Sequence, residues 1–318
     1  MGNSEDFGAV LEKIYAADHI AVVAHINPDA DSLGSASAMY SLLLRLHKKV
    51  TFFCATENID PRLAFLPWFD KLRHRFPVSA DLAISLDCGS KKRLGTEIKC
   101  PLVNIDHHAG NEAYGEINII DDTAISTTQV LYELFEDHGI KLNAKMATSL
   151  YAGLLDDSLG FLSEKTDARA FAMAAVLSKA GADTRGCAIE LFERRSLAAM
   201  RLKGMMLQEM SLVHNGDIVL LRVTQEMLLQ SGAHAADCEA VLHESMGLPT
   251  IKAAVLLRER RDGSIKGSLR SLDGSDMVVV ANSFGGGGHS ASAGFELPFT
   301  NMADAEAVVL QKLKKELS

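Results

Sequence analysis

The sequence predicts an α/β fold, with a parallel doubly wound N-terminal domain joined by a helical linker to a smaller α/β C-terminal domain. From residue 19 to about 180, short apolar runs rich in β-branched residues alternate with helical patterns, which is typical of βα units. Runs such as "HIAVVA" are almost continuously apolar, as in strands buried on both faces of a sheet. After Gly216, strand-like runs begin again. We therefore expect domains over 1–185 and 214–318, with a linker over 186–213.

The individual elements follow from apolar spacing and from turn signals. In the N-terminal domain, strands are predicted at 19–26, 49–55, 81–87 and 101–107, and later helices at 126–138, 143–155 and 167–180. The segment after the first strand has leucines and a methionine at spacings of three, four and seven, so it predicts an amphipathic helix capped by Asp31 or Ser32. In the C-terminal domain, Asp262-Gly263 joins two strand-like runs and predicts a hairpin.

The composition limits the class of protein. With 318 residues and 47% hydrophobic content, the chain can build two cores. A net charge of -9 argues against long duplex nucleic acid as the main ligand, although it permits a short anionic substrate. The five cysteines form no C-x-x-C pair and are expected to be reduced thiols. Neither a signal peptide nor a long apolar stretch is apparent, so we expect a cytoplasmic protein without membrane contact.

Acids and histidines follow the ends of several predicted elements. The full set is His25, Asp29, Asp31, Asp87, Asp106, His107, His108, Asp156 and Asp157. Taken singly, each has a plain structural alternative: Asp29 in a turn, Asp31 as a helix cap, Asp87 before a glycine turn. Because the carboxyl ends of parallel strands meet at one edge of a sheet, we expect these side chains to converge.

The converging side chains offer oxygen and nitrogen but no sulfur. Such a donor set suits Mn²⁺, Mg²⁺ or Fe²⁺. Two such ions about 3.5 to 4 Å apart, bridged by a carboxylate, can activate water and stabilise in-line displacement at phosphorus. The sequence therefore indicates a two-metal phosphoesterase.

Two features of the C-terminal domain point to anion binding. Four glycines, Gly285 to Gly288, precede His289, and the backbone N–H groups of such a loop can cradle an anion, although glycine runs are also flexible turns. Arg270 lies in an extended run; an arginine can contact phosphate through two N–H groups, but on a strand surface it is more often only solvated.

The motifs together resemble the DHH phosphoesterase superfamily with its DHH-associated C-terminal domain. The matching segments are "HINPDADSLGS", "LDCGSKKRLG", "IDHH", "GLLDDSLGF", "SLRS" and "GGGGHSASAG", in the family's order over residues 19 to 295. Within the superfamily, the chain is most similar to the group of nanoRNases and pAp (3′-phosphoadenosine 5′-phosphate) phosphatases. The resemblance implies a catalytic domain over 1–185 and a substrate-binding domain over 214–318.

The resemblance also implies roles for single residues. One metal ion would be held by His25, Asp29 and Asp87, and the second by Asp31, Asp87, His107 and Asp157. His108 would face the scissile phosphate, and Asp106 would orient the histidines. In the C-terminal domain the substrate's other phosphate would be held by Arg270, Gly286, Gly287, Gly288 and His289.

By the same resemblance, the activity would be hydrolysis of short RNA, especially linear dinucleotides such as pGpG or pApA, to nucleoside 5′-monophosphates. The cofactors would be two divalent ions, Mn²⁺ first, with Mg²⁺ or Fe²⁺ as alternatives, and the protein would form a homodimer. The alternative is a pAp phosphatase or an exopolyphosphatase-like phosphohydrolase. A nucleotide-binding regulator with an inactive centre is a different class, against which the complete set of donors argues.

The chain departs from the family pattern at two places. Where the family reads T-D-T-G, this chain has Asp156, Asp157, Ser158 and Leu159, and it has Ser292 where alanine is usual. Alignment through Gly153 and Phe161 favours Asp157 over Asp156 as the metal ligand. Both departures lie near the inferred site, so we expect them to affect substrate preference.

Overall fold

A computed structural model describes residues 2–272, 274–298 and 301–317, apart from the side chains of 2–5 and 289. The chain divides into two compact units, Met1–Arg194 and Arg195–Ser318. The predicted linker, 186–213, is divided between them: a short π-helical turn at Ile189–Glu193 belongs to the first unit, and the helix at Leu197–Gln208 to the second.

The N-terminal unit is built on a five-stranded parallel sheet in the order β2-β1-β3-β4-β5, which confirms the predicted doubly wound fold. Its strands are β1 (His19–Ala24), β2 (Lys49–Phe53), β3 (Leu82–Leu86), β4 (Leu102–Asp106) and β5 (Ile117–Ile120). The strands β1, β3 and β4 are buried throughout, as their apolar sequences require. The sequence analysis did not predict β5, a four-residue edge strand.

Helices surround this sheet: α1 (Gly2–Ala16), α2 (Ala30–Arg45), α3 (Thr127–Asp137), α4 (Ala144–Asp157), α5 (Ala168–Lys179) and α6 (Thr184–Ala188). Short 3₁₀ turns lie at Pro61–Phe65, Phe69–Lys71 and Lys91–Leu94. The cap of α2 differs from the prediction. Asp29, not Asp31 or Ser32, is the N-cap, because its backbone is extended and its carboxylate accepts a hydrogen bond of 2.9 Å from the Ser32 N–H. Asp31 consequently lies inside the first turn.

The C-terminal unit contains a six-stranded sheet in the order β10-β11-β9-β8-β7-β6. Its strands are β6 (Ser211–Val213), β7 (Ile218–Val223), β8 (Ala253–Glu259), β9 (Ile265–Ser271), β10 (Gly287–His289) and β11 (Ser292–Leu297). The predicted hairpin is confirmed: β8 and β9 pair antiparallel, and Gly263 in the turn has φ +83°. None of the helices in the described ranges is long and apolar enough to cross a membrane.

Helices cover both faces of the second sheet. The helices α7 (Leu197–Gln208), α8 (Gln225–Ser231) and α9 (Asp237–Ser245) share a core with one face, and α10 (Met277–Asn282) and α11 (Met302–Glu316) share a core with the other. Alternate residues of β8 serve the two cores: Ala254 and Leu256 belong to the first, and Val255 and Leu257 to the second.

The glycine run is not the open loop that the sequence suggested. Gly287 and Gly288 form strand β10, which pairs antiparallel with β11. The backbones approach closely, because a Cβ on Gly286 would lie 2.2 Å from the Gly294 carbonyl oxygen. Glycine is therefore needed here for close packing, and β10 forms the edge of the sheet.

Candidate metal centre

The acids and histidines of the N-terminal unit converge at the carboxyl edge of its sheet. His25 follows β1, Asp87 follows β3, and Asp106 is the last residue of β4. These strands are parallel neighbours, so their ends lie side by side. This is the edge at which open parallel sheets bind ligands.

One group of donors consists of His25, Asp29 and Asp87. The His25 Nε2 atom lies 3.3 Å from Asp87 Oδ2 and 3.6 Å from Asp29 Oδ2. On its other side, the buried His25 ring places Nδ1 2.9 Å from the Ile26 carbonyl oxygen. Because a carbonyl can only accept, Nδ1 donates to it, which leaves the Nε2 lone pair for a cation that the neighbouring carboxylates would also hold.

A second group consists of Asp31, His107 and Asp157, whose donor atoms lie within 4.8 Å of one another. The His107 Nε2 atom is 3.2 Å from Asp157 Oδ2 and 3.6 Å from Asp87 Oδ1. Asp87 therefore directs Oδ2 toward the first group and Oδ1 toward the second. A carboxylate placed in this way can bridge two cations.

The N-terminus of α3 fixes the buried Asp31 side chain. The backbone N–H groups of Thr127 and Thr128 donate to its two oxygens at 2.7 and 2.9 Å. The Thr127 hydroxyl also donates to Asp87 Oδ1 at 3.0 Å. A helix N-terminus favours negative charge, so α3 stabilises this carboxylate. Sequence reasoning missed these threonines, although the predicted start of a helix at 126 was a signal.

The Asp106 carboxylate is buried and holds the His108 ring. His108 Nδ1 lies 2.8 Å from Asp106 Oδ1, and the Asn111 amide donates to the other oxygen. Burial opposes ionisation of Asp106, but these hydrogen bonds outweigh it and hold its pKa below the usual range. The Asp106 contact also raises the pKa of His108. Since Nδ1 is engaged, Nε2 on the opposite side of this 42% exposed side chain is left for a ligand.

The electrostatics of the cluster fit bound cations. Burial and the neighbouring carboxylates raise the pKa of Asp87 well above its ordinary value, and burial raises the pKa of Asp31. For Asp157, burial and repulsion from Asp31 and Asp87 raise the pKa to about 11. Several carboxylates cannot remain ionised together in a buried site without positive charge. Divalent ions would supply that charge, and the mixed oxygen and nitrogen donors suit them.

Asp156 and Asp157 lie in different surroundings. Asp156 Oδ2 accepts a hydrogen bond of 3.0 Å from the Ala30 N–H in the first turn of α2, and burial raises the pKa of Asp156 to about 6. Asp157, by contrast, faces His107. The geometry therefore favours Asp157 as a metal ligand and Asp156 as a support for α2.

Arg93 is a residue of this site that the sequence analysis did not single out. Its Nη2 atom lies 3.1 Å from each ring nitrogen of His25, and its carbonyl oxygen accepts from the Ile26 N–H at 2.8 Å. Burial opposes ionisation of Asp29, but the His25 contact outweighs it and, with a smaller contribution from the Arg93 charge, lowers the pKa of Asp29. The Arg93 charge also opposes protonation of His108. A guanidinium in such a cluster offers the N–H groups that contact phosphate oxygens.

In the C-terminal unit, the predicted phosphate contacts lie in one row across three strands. Arg270 on β9 pairs with Ser292 on β11, which pairs with His289 on β10. The Arg270 guanidinium donates to the Ser292 hydroxyl, and Nη2 lies 3.3 Å from Glu239 Oε2. The structure thus brings Arg270 and the glycine strand together, while the His289 side chain lies outside the described residues.

Comparisons with known proteins agree with this architecture. The protein-family model described as "DHH family, N-terminal domain" matches residues 19–154, and the family model of the DHHA1 domain matches residues 216–317. The bifunctional oligoribonuclease and PAP phosphatase NrnA of Bacillus subtilis is 27% identical over 313 residues, which cover 96% of this chain and 98% of that protein. The protein of the same name from Thermus thermophilus is 28% identical, with 94% of this chain and 90% of that protein covered.

Among solved structures, the exopolyphosphatase-related protein from Bacteroides fragilis superposes with a TM-score of 0.88 at 24% identity, covering 98% of this chain and 96% of that one. Exonuclease RecJ bound to manganese gives a TM-score of 0.56 at 16% identity, covering 100% of this chain and 94% of that one. At these identities the likeness shows a shared fold. The two domain models and the order of the motifs identify this chain as a member of the DHH family, with a DHH domain followed by a DHHA1 domain.

Proposed function

We propose that this DHH phosphoesterase hydrolyses short linear oligonucleotides, especially dinucleotides such as pGpG and pApA, to nucleoside 5′-monophosphates. The observation that carries the proposal is the placement of Asp87, whose two oxygens face two separate groups of donors. The relatives named as oligoribonuclease and PAP phosphatase support the substrate class, because they match almost the whole chain.

Two divalent ions complete the proposed site. His25, Asp29 and Asp87 would hold one ion, and Asp31, Asp87, His107 and Asp157 the other. The donors suit Mn²⁺, with Mg²⁺ and Fe²⁺ as alternatives. When bound, such ions supply an activated water and stabilise charge on a phosphoryl group.

The chain's own side chains position the phosphate. Asp106 holds His108 by Nδ1, so Nε2 can donate to a non-bridging phosphate oxygen. Arg93, against the His25 ring, offers guanidinium N–H groups to the same phosphate. Thr127 donates to both Asp31 and Asp87 and so fixes the two groups of donors relative to each other.

The second unit would hold another phosphate of the substrate. Arg270 supplies the charge, and the outer edge of strand β10, with Gly287, Gly288 and His289, supplies hydrogen bonds. The Gly286 N–H, which the sequence analysis included, already donates to the Ala281 carbonyl oxygen at 2.9 Å. Glu239 is the neighbouring carboxylate that an incoming phosphate would displace. One phosphate anchor, rather than a long basic track, is consistent with a nuclease of net charge -9 that acts on a few nucleotides.

The second candidate activity is that of a pAp phosphatase. It is favoured by the names of the relatives, which include PAP phosphatase. A molecule with phosphates at both ends of one nucleoside would use the same two phosphate sites. The bond cleaved would then be a phosphomonoester with release of inorganic phosphate, whereas a dinucleotide is cleaved at its phosphodiester.

A product-resolved assay separates these activities. Purified protein with Mn²⁺ is offered pGpG, pApA, a five-nucleotide RNA, pAp and pyrophosphate at equal concentrations. We expect the dinucleotides to be cleaved fastest and the Asp87→Ala variant to be inactive. Preference for pAp or pyrophosphate would overturn the substrate assignment, and full activity of Asp87→Ala would overturn the metal assignment. The homodimer and the cytoplasmic location stay predictions; sedimentation tests the first and cell fractionation the second.

A further inference from the structure

A second candidate ligand site lies in the C-terminal unit, away from Arg270. It is a cavity of about 510 Å³ lined by the β8–β9 hairpin and by α8 with the loop that follows it. Its size is in the range of about 300 to 1,000 Å³ that is typical of small-molecule pockets. The lining combines three arginines, Arg258, Arg260 and Arg261, with leucines and alanines of the α8 segment.

The cavity carries an excess of positive charge. Arg260 forms an ion pair with Glu296, whereas neither Arg258 nor Arg261 has a carboxylate within ion-pair distance in the part of the chain that the structure describes. The acid of the lining, Asp262, offsets one positive charge and is held in place by Ser264, whose N–H and hydroxyl donate to its Oδ1 at 3.0 and 2.6 Å. With Glu296 on Arg260, two negative charges face three arginines. A half-buried guanidinium without a counter-ion favours an anionic ligand.

The α8 segment lines the cavity mainly with apolar side chains, and Gln225 and His234 are its polar ones. It includes Leu228, Ala233 and Leu229, whose side chain is 77% exposed. A leucine this exposed beside two uncompensated arginines suits a ligand with a flat apolar part and a charged part. A nucleoside phosphate has both: the base can pack on the leucines while the phosphate contacts the guanidinium groups.

The strand register separates this cavity from the Arg270 row. Arg270 pairs with Ala254 on β8, whereas Arg258 pairs with Lys266 on β9. Four residues of a strand span about 13 Å, and Arg260 lies two residues farther along the chain. We propose that the cavity is a second nucleotide-phosphate site, distinct from the proposed substrate anchor. Its occupant is a nucleoside phosphate, either as a free mononucleotide or as the distal nucleotide of a longer RNA.

The first test is calorimetric binding of AMP to the full-length, Mn²⁺-loaded protein. Wild type is compared with Arg258→Gln/Arg261→Gln, with Arg270→Ala, and with Arg201→Gln, which removes an exposed arginine of α7 in the same unit. If the cavity takes free nucleotide, AMP binding to one class of sites weakens about tenfold or more in the double variant. The same class of sites should bind AMP with wild-type affinity in Arg270→Ala and in Arg201→Gln.

The second test uses a labelled five-nucleotide RNA. Binding is measured to Asp87→Ala and to Asp87→Ala carrying Arg258→Gln/Arg261→Gln, so the result does not depend on hydrolysis. Weaker RNA binding with unchanged AMP binding assigns the cavity to the distal nucleotide. Unchanged binding of both ligands would overturn the proposal. Both measurements are repeated on the single variant Arg261→Gln, which changes only an exposed side chain and should lose less affinity. Thermal melting verifies that each variant is folded.

Discussion

Gly153 of α4 lies directly against Asp31 of α2. A Cβ atom on Gly153 would stand 2.5 Å from Asp31 Oδ1 and 2.8 Å from Asp31 Cα, distances at which neighbouring atoms must move. The same face of α4 carries Asp157 one helical turn later, so the close approach of the two helices sets the separation between these two carboxylates. Gly153 thus helps to position the carboxylates of the proposed metal centre, although it has no side chain to offer.

Gly153→Ala tests this relationship. Because the Asp31 backbone blocks the added methyl group, the helices must separate, and we expect a loss of about 1 to 3 kcal/mol in the free energy of unfolding. Dinucleotide hydrolysis should fall with it, since Asp31 shifts. Urea unfolding and the dinucleotide assay measure the two effects. The matched control is Gly8→Ala in α1, where nothing lies within 4 Å of the new Cβ and the helix should gain up to about 1 kcal/mol. Equal behaviour of both variants would refute the packing argument.

Asp106→Asn removes the charge that holds His108 while keeping the size of the side chain. In the wild type, both His108 Nδ1 and the Asn111 amide donate to the Asp106 carboxylate. The new asparagine has only one acceptor oxygen for these two donors, so His108 loses its fixed orientation. We expect kcat to fall by about 10- to 100-fold with little change in KM, the range found when an orienting partner is lost. Steady-state kinetics on pGpG measures both constants.

The control for that substitution is Asp121→Asn, which removes the charge from the ion pair of 3.2 Å with Arg169 elsewhere in the same unit. Its kcat should match wild type. If Asp106→Asn also kept the wild-type kcat, Asp106 would have no positioning role.

The sequence was informative where one local pattern determines the structure. Apolar continuity predicted β1, β3 and β4, and their ends predicted where the acids and histidines meet. What it could not predict depends on contacts between distant segments. The Thr127 N–H donates to Asp31, which lies 96 positions earlier in the sequence, and Arg93 contacts His25, which lies 68 positions earlier. No periodicity of either segment indicates such contacts.

The glycine run shows a different limit. Its composition is compatible with both a loop and a strand, and only the pairing of Gly287 with Gly294 decides between them. The cap of α2 was mispredicted for a related reason. Both Asp29 and Asp31 are good capping residues, and the extended backbone that selects Asp29 is set by the chain's exit from the sheet.

Arg270→Ala tests the proposed phosphate anchor. Loss of a charged hydrogen-bond donor costs about 1.5 to 3 kcal/mol, so KM for pGpG should rise about 10- to 100-fold while kcat stays close to wild type. Ser292→Ala removes the hydroxyl that accepts from Arg270 and should raise KM less, by about 2- to 10-fold. Arg201→Ala serves as the charge control. A fall in kcat without a change in KM for Arg270→Ala would contradict the anchoring role.

Metal removal tests the centre by stability rather than by activity. Without a cation, the buried carboxylates must take up protons or repel one another, and a bound ion removes that cost. Mn²⁺ should therefore raise the melting temperature of wild type above its value in EDTA. At a metal concentration about 100 times the dissociation constant, binding adds about 2.7 kcal/mol to the free energy of unfolding.

Asp87→Asn separates metal binding from general stabilisation. Asp87 has φ +59°, a left-handed backbone that asparagine tolerates as well as aspartate, so the fold should be retained. The variant lacks the charge that faces both donor groups, and removing it relieves the cost of burying that charge and its repulsion with Asp31 and Asp29. We therefore expect a higher melting temperature than wild type in EDTA and little or no further rise with Mn²⁺. Differential scanning calorimetry measures both temperatures, and a wild-type response of the variant to Mn²⁺ would show that Asp87 does not bind the metal.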